Sequence, residues 1–379
     1  MLRAYTFTAN LSRPVHERLD AFLLEQKDLW NAALEERIAA YQKTGKSPSA
    51  YEQMKGLTEW RQDDPGSRRF SASAQRSALR RLDKAFQAFF RRVKKGEKPG
   101  FPRFKPAHRM RSFETEAFSI HTKGRVHSVS IKGIGKFRFK GELPDEGIAK
   151  VFRVVKTPRR VSVCLAWKLH DLRLVDARPP VGMDVGVDNL YALSNGEIAP
   201  AMKRDKSRVK HFQKRLSKAK KGSNNRIKKR SSYAKACQAE RERTQGQLHE
   251  LTARLIKDHG ARWFVEDLDI QKMTAKGKAS KRGLNRSILE REWGSFINKL
   301  TYKAESAGGW VEKVNAAYTS KTCNKCGGVN HHMGRTDPMN CVYCNHQDHR
   351  DVNAAKNMLL GNLCSLAGGA SRHARSRAV

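Results

Sequence analysis

The sequence predicts a multidomain α+β protein: a small antiparallel β-barrel, interrupted by helices, followed by a mixed strand-and-helix unit that carries a metal knuckle. Three observations predict it. Apolar residues recur at helical spacing up to about residue 95, then alternate in short runs from about 111 to 172, with Gly and Pro between them. Asp176-Ala177-Arg178-Pro179-Pro180 reads as a linker between two halves. Towards the C-terminal end stand two Cys-x-x-Cys pairs, Cys323/Cys326 and Cys341/Cys344, and two such pairs close the tetrahedron of a structural Zn²⁺ site.

Composition narrows the partners. The 379 residues include 76 Lys and Arg against 37 Asp and Glu, a formal charge of +39. Such a chain repels itself unless a polyanion is bound, so nucleic acid is the expected partner. A membrane surface fits less well, because the cations are spread along the chain and no amphipathic stretch dominates. The first residues lack the apolar core of a signal peptide and no run approaches the ~20 apolar residues of a membrane span, so the expected location is the cytosol. That compartment suits four zinc-binding cysteines, with Cys164, Cys237 and Cys364 as isolated thiols.

Residues 3–9 alternate aromatic and polar side chains as a short strand. Ser12 and Pro14 open a helix through Leu19, Phe22, Leu23, Leu29, Trp30 and Leu34 to about Tyr41, and a second runs over about 51–61 until Asp64-Pro65-Gly66 breaks it. A third, about 71–95, has an apolar stripe from Ala74 to Val93, with Arg80, Arg81, Arg91 and Lys94 among its basic residues. The loop after it places Phe101 and Phe104 among Lys98, Arg103 and Lys105, a composition suited to backbone contact plus base stacking. Candidate strands follow at 111–120, 126–132, 135–140, 150–157 and 159–169, so the helices are an insertion in the barrel.

After the linker, 181–199 reads as two strands joined at Ser194-Asn195-Gly196. Asp184 lies within the first, where an unpaired carboxylate costs several kcal/mol; Asp188 is expected to face solvent. Half of residues 203–230 are Lys or Arg, with Lys210, Lys214, Lys220 and Lys221 as candidate phosphate contacts. A helix over about 233–257 leads to a buried strand, 261–268, that carries Glu266. Residues 271–285 read as a mobile loop, 287–307 as one helix, 310–314 as a strand, and 365–379 as a disordered tail. Asp351 stands at the mouth of a helix marked by Val352, Ala354, Ala355 and Met358, where it is either a cap or a carboxylate presented for chemistry. Asp184, Glu266 and Asp351 around one sheet would suit two Mg²⁺ ions roughly 3.5–4 Å apart, acting on a phosphodiester.

The phrases GMDVGVDNLYALSNGE (182–197), FVEDL (264–268), YTSKTCNKCG (318–327) and HRDVNAAKN (349–357), in that order, resemble the TnpB family of insertion-sequence-encoded nucleases related to type V CRISPR effectors. KKGEKPGFPRFK, KRLSKAKKGSNNR and LTYKAESAGGWVEKV share the resemblance; 43–69 and the residues after Gly361 do not. It implies a RuvC/RNase H-like α/β nuclease domain (179–317 and 350–364) with a zinc-knuckle insertion that binds target nucleic acid (318–349). Before it come a wedge-type β-barrel (1–10 and 106–178) and an inserted helical recognition region (11–105). It further implies DNA cleavage guided by a noncoding RNA beside a short protein-read motif, with one protein per RNA, Asp184, Glu266 and Asp351 as Mg²⁺-binding catalytic carboxylates, and Cys323, Cys326, Cys341 and Cys344 as zinc ligands. His349 stands where the family often carries an acid. An acidic-triad transposase and an RNA-guided repressor that binds without cutting are the alternatives.

Overall fold

A computed structural model describes residues 2–169, 176–202, 204–275, 281–315, 317–334 and 337–367, with side chains beyond 361 left aside. The chain divides into two compact units, 1–171 and 172–379.

The first unit begins with strand β1 (Leu2–Asn10), then helices α1 (Arg13–Thr44), α2 (Ala50–Asp63) and α3 (Ala72–Lys94), and then six strands. Helix α1 starts where Ser12 and Pro14 predict and stops at Gly45, whose φ of 70° gives the left-handed cap. A reciprocal capping box between Ser49 and Glu52 starts α2. The strands are β2 (Ser112–Thr115), β3 (Ser119–Lys123), β4 (Val126–Ile131), β5 (Gly135–Lys140), β6 (Ile148–Lys156) and β7 (Val161–Lys168). With β1 they form one antiparallel sheet in the order β2-β6-β7-β1-β5-β4-β3.

The run 111–120 is thus two strands rather than one, and they form opposite edges of the sheet. Laid flat, seven strands would hold those edges about 29 Å apart. Yet only residues 116–118 link Thr115 to Ser119, a span of at most ~14 Å. The sheet must therefore curl back on itself. It stops short of the expected barrel, since among the described residues β2 and β3 do not pair with each other. Phe113, Phe137, Phe139 and Phe152 fill its concave side, against Leu19 and Phe22 of α1. Trp30, Leu34, Leu57, Leu82 and Phe86 make a second core among the helices.

The second unit contains a five-stranded sheet: β8 (Val181–Asp184), β9 (Asn189–Leu193), β10 (Ile198–Pro200), β11 (Arg262–Glu266) and β12 (Trp310–Val314), ordered β10-β9-β8-β11-β12. The stretch 181–199 forms three strands, because the chain leaves the ladder at 185–188; the Asn-Gly turn joins β9 to β10. Between β10 and β11 lie α4 (Ser207–Ser217) and α5 (Asn224–His259). Helix α5 begins about nine residues earlier than its apolar stripe suggests, since the side chain of Ser223 caps it by accepting from the Arg226 N–H.

Residues 271–285 are not simply a loop: α6 (Ile270–Met273) and the start of α7 (Lys281–Arg291) occupy its ends, and 276–280 lie outside the described residues. The single helix expected over 287–307 breaks between α7 and α8 (Trp293–Ser306) at Glu292, whose φ of 53° no helix interior allows. A short hairpin, β13 (Met339–Asn340) and β14 (Gln347–Asp348), precedes α9 (Arg350–Ala367). Residues 365–367 are therefore helical, contrary to the disordered tail expected there, while 368–379 fall outside the described residues. None of the described helices is long and apolar enough to cross a membrane.

Candidate catalytic carboxylates and cysteine knuckle

Strand register brings the first two acids together. β8 and β11 run parallel, pairing Val181 with Trp263, Gly182 with Phe264 and Met183 with Val265. One step further, at the C-terminal ends of both strands, Asp184 stands beside Glu266 on the same face of the sheet. Residues of the other parity, Val181, Met183, Trp263 and Val265, pack with Leu248, Phe296 and Leu300 of α5 and α8. The acid-bearing face meets α9, where Phe264 packs with Ala354 and Met358. Gly182 permits this approach: a Cβ there would stand 2.0 Å from the Ala355 carbonyl oxygen.

Helix α9 thereby presents Asp351, in its first turn, to the strand ends. Burial first, and then the charges of Glu266 and Asp351, push the Asp184 carboxyl well above its ordinary range, against the opposing influence of the Val185 N–H and Arg350. Burial also raises Glu266. Asn189 Nδ2 donates to Asp351 Oδ2 at 3.0 Å, and the Asp351 N–H donates to His349 Nδ1 at 3.2 Å. Asp188 is exposed, as expected. Carboxylates are the donor type that a hard divalent cation takes, and two of these, Asp184 and Glu266, have raised pKa values.

The four cysteines form a second, separate donor set. Their sulfurs lie within 4.8 Å of one another, a grouping that could hold a metal ion. Each pair sits on the same kind of turn: Gly327 N–H donates to Cys323 O and Asn345 N–H to Cys341 O, and both Gly327 (φ 74°) and Asn345 (φ 56°) are left-handed. The crowded thiols differ in acidity. Burial raises Cys341, but the N–H groups of Tyr343 and Cys344 and the neighbouring thiols draw it down to about 6. Cys344, although the His346 N–H lowers it, is pushed up to about 12 by burial and by three neighbouring sulfurs. Four convergent sulfurs are the ligand chemistry of Zn²⁺. Cys164 and Cys237 are free thiols elsewhere; the Cys364 side chain lies outside the described ones.

The basic candidates separate. Arg91, Lys94, Lys210, Lys214, Lys220 and Lys221 are exposed. Arg80 pairs with Glu116 at 2.6 Å. Arg81 is a correction: its guanidinium turns inward to donate to the Ser112 carbonyl at 2.5 Å, burial lowers its pKa, and it serves the joint between α3 and β2. Phe101 packs edge-on against Phe86 and Phe89 at 5.6 and 5.4 Å, and stays 48 % exposed. Its loop is pinned to α1 by Trp30 Nε1 on the Arg103 carbonyl and by Asn31, which both donates to and accepts from the Lys105 backbone.

Sequence reasoning missed Asn189, Asn324, Asn353 and Asn357. All four lie within the quoted motifs; Asn189 at a strand start, Asn353 and Asn357 amid a helix's apolar run, and Asn324 between two paired cysteines are the signals that could have found them.

Two family models match: one described as "Probable transposase" over residues 164–276 and one described as "Cas12f1-like, TNB domain" over 293–358. A "Putative RNA-guided DNA endonuclease InsQ" of Escherichia coli (strain K12) is 28% identical over 339 residues, 82% of this chain and 78% of that protein. A "Putative RNA-guided DNA endonuclease" of Streptomyces pristinaespiralis is 28% identical over 355 residues, 90% of this chain and 84% of that protein. Among solved structures, a Cas12f1–sgRNA–target DNA complex superposes with a TM-score of 0.58 at 15% identity, covering 95% of this chain and 98% of that one. That likeness shows that the two chains share a fold. The first model spans the motifs that carry Asp184 and Glu266, and the second those that carry the cysteines and Asp351, and together these matches support the resemblance to the TnpB family.

Proposed function

We propose that the chain is a transposon-encoded, RNA-guided DNA endonuclease whose hydrolytic centre is Asp184, Glu266 and Asp351. The observation that carries this reading is the parallel register that sets Asp184 beside Glu266 with Asp351 facing them from α9. The names of the relatives favour the same activity. Mg²⁺, when held by these carboxylates, supplies the Lewis-acid chemistry of phosphodiester hydrolysis. The residues themselves do three things: Asp184 and Glu266 give up the protons that burial favours, Asn189 orients Asp351, and the pairing of β8 with β11 keeps the acids in register.

In the same reading, the cysteine set holds a structural Zn²⁺ in a knuckle that contacts target DNA, and the curled sheet is a wedge-type domain that helps hold a guide RNA. One protein serves one RNA, base pairing chooses the target, and the exposed cations and Phe101 hold backbone and unpaired bases. Zinc closes a scaffold and magnesium serves the chemistry.

The test uses the full chain with the RNA that co-purifies from expression. With Mg²⁺ and a target matched to that RNA, wild type cuts duplex DNA, and Asp184→Ala binds the same RNA and target without cutting. Full cleavage by Asp184→Ala overturns the assignment. Joining of element ends without RNA would establish a transposase instead, the activity named in one matching family model. Binding without any metal-dependent cut would establish a repressor.

A further inference from the structure

A polar joint ties the cysteine knuckle to α9. Asn353, two residues beyond Asp351, is 0% exposed. Its Oδ1 accepts from the backbone N–H and the side-chain amide of Asn324, both at 2.9 Å. Its Nδ2 donates to the carbonyls of Thr319 and Thr322 at 3.1 and 2.8 Å. One helical turn on, Asn357 Nδ2 donates to the same two carbonyls at 2.8 and 2.6 Å. Between them on this face, Lys356 reaches Asp348 at 2.7 Å, and Asp348 also accepts from Asn324 Nδ2 at 3.0 Å.

The partners fix the Asn353 amide in one orientation. Turned over, its Nδ2 would meet an N–H and its Oδ1 two carbonyl oxygens. All of these partners belong to the metal-binding turn: Asn324 lies between Cys323 and Cys326, and 319–322 lead into them. Residues two apart on a helix point about 200° away from each other. Asp351 can therefore face the sheet while Asn353 faces the knuckle.

We propose that Asn353 is a positioning residue that locks the first turn of α9 to the metal-binding turn, so that metal in the cysteine set determines how firmly Asp351 is presented. The need arises because a helix's first turn lacks half of its intrahelical hydrogen bonds and frays unless held from outside. Here it is held by the knuckle, and the knuckle is held by its metal. The proposal rests on the reading of Asp351 as a metal-binding carboxylate, but the mechanical link can be measured without it.

The experiment follows amide exchange of residues 350–358, metal content, and the Mg²⁺ dependence of cleavage in the full chain with its co-purified RNA. In wild type, stripping zinc with a chelator speeds exchange in 350–358. In Asn353→Ala, which makes no bond to metal, zinc stays bound, exchange is about tenfold faster before any chelator is added, and chelation adds little. The Mg²⁺ concentration for half-maximal cleavage rises about tenfold, the low end of the range for residues behind metal ligands, with the maximal rate changed less. Asn357→Ala, which keeps the inner bonds, shifts both readouts the same way by less, and serves if Asn353→Ala does not fold. Exchange indifferent to chelation, or wild-type exchange and Mg²⁺ dependence in both variants, overturns the proposal. If wild type cuts nothing while exchange still follows zinc, the nuclease reading fails and the link stands.

Discussion

The side-chain amide of Asn189 donates to Asp351 across 162 positions of sequence, Nδ2 to Oδ2 at 3.0 Å. The bond ties the start of β9 to the start of α9 and holds one of the two Asp351 carboxylate oxygens. Residues that orient a metal ligand in this way typically contribute about 10–100-fold to metal affinity or activity. Asn189→Ala should therefore raise the Mg²⁺ needed for half-maximal cleavage by at least about tenfold, with RNA binding unchanged. Asn189→Asp should be worse, because it sets a fourth negative charge against Asp351. A Mg²⁺ titration of single-turnover cleavage reads both.

The raised pKa of Asp184 makes a statement about stability. In acid both the folded and the unfolded chain carry this carboxyl protonated. As pH rises past the ordinary value the unfolded chain ionises first, and above the elevated value the folded chain must hold a buried charge beside Glu266 and Asp351. The contribution to stability is present at low pH and is lost as pH rises. Without divalent metal, Asp184→Asn should melt higher than wild type by a margin that grows from about pH 5 to about pH 8. Mg²⁺ should close much of that gap by stabilising wild type alone. The variant should not cut. Thermal melts across pH, with and without Mg²⁺, decide the matter; a variant less stable at every pH would overturn it.

Much of the second unit could be read because its informative residues break local rules. Asp184 and Glu266 are acids in apolar strands, and paired cysteines at that spacing have few uses. What could not be read depends on tertiary neighbours. Nothing local in 111–120 says that its halves end on opposite edges of a sheet; that follows from β1 lying at the centre of the order. The break at Glu292 was invisible because the apolar spacing of α7 continues into α8, while the chain turns where Arg204 and Gln245 both bond the Glu292 carboxylate. Arg81 was misread for the same reason. A basic residue on an amphipathic helix looks solvated until a neighbouring strand offers it a carbonyl.

Gly182 lets α9 lie close against β8. The atom a Cβ would meet, the Ala355 carbonyl oxygen at 2.0 Å, belongs to backbone in mid-helix and cannot rotate away. Gly182→Ala must push α9 off β8, carrying Asp351 from Asp184. The expected outcome is a loss of stability of roughly 1–3 kcal/mol, as for overpacked cores, together with cleavage reduced far more than RNA binding. Gly196, with nothing within 4 Å of its Cβ position, supplies a control. Gly196→Asn keeps the left-handed turn accessible and should be close to neutral on both counts.

The cysteine set predicts a proton count as well as a metal. Ligation replaces protons that the crowded thiols share, so zinc uptake should release protons and weaken as pH falls. Cys323→Ser should lower zinc content and melting temperature together. Calorimetry of zinc binding in two buffers of different ionisation enthalpy counts the protons released. An unchanged melting temperature and zinc content in Cys323→Ser would falsify the site.

Surface cations and aromatic residues should separate in the salt dependence of binding. Arg91, Lys94, Lys210 and Lys214 are exposed, and a phosphate contact shows itself as a reduced slope of log affinity against log salt, by roughly 0.7–0.9 per contact removed. Phe101 carries no charge. If a base stacks on the exposed Phe101 ring, Phe101→Ala should lose about 1–3 kcal/mol of affinity for an unpaired strand, with the slope unchanged. Arg81→Ala should do neither: its inward bond to Ser112 predicts a lower melting temperature with the wild-type slope. Affinity for the co-purified RNA and for a single-stranded oligonucleotide, measured across salt for the three kinds of variant, distinguishes backbone contact, stacking and internal support. A reduced slope in Arg81→Ala would restore that residue to the nucleic-acid surface and show that its side chain leaves the Ser112 carbonyl to meet its ligand.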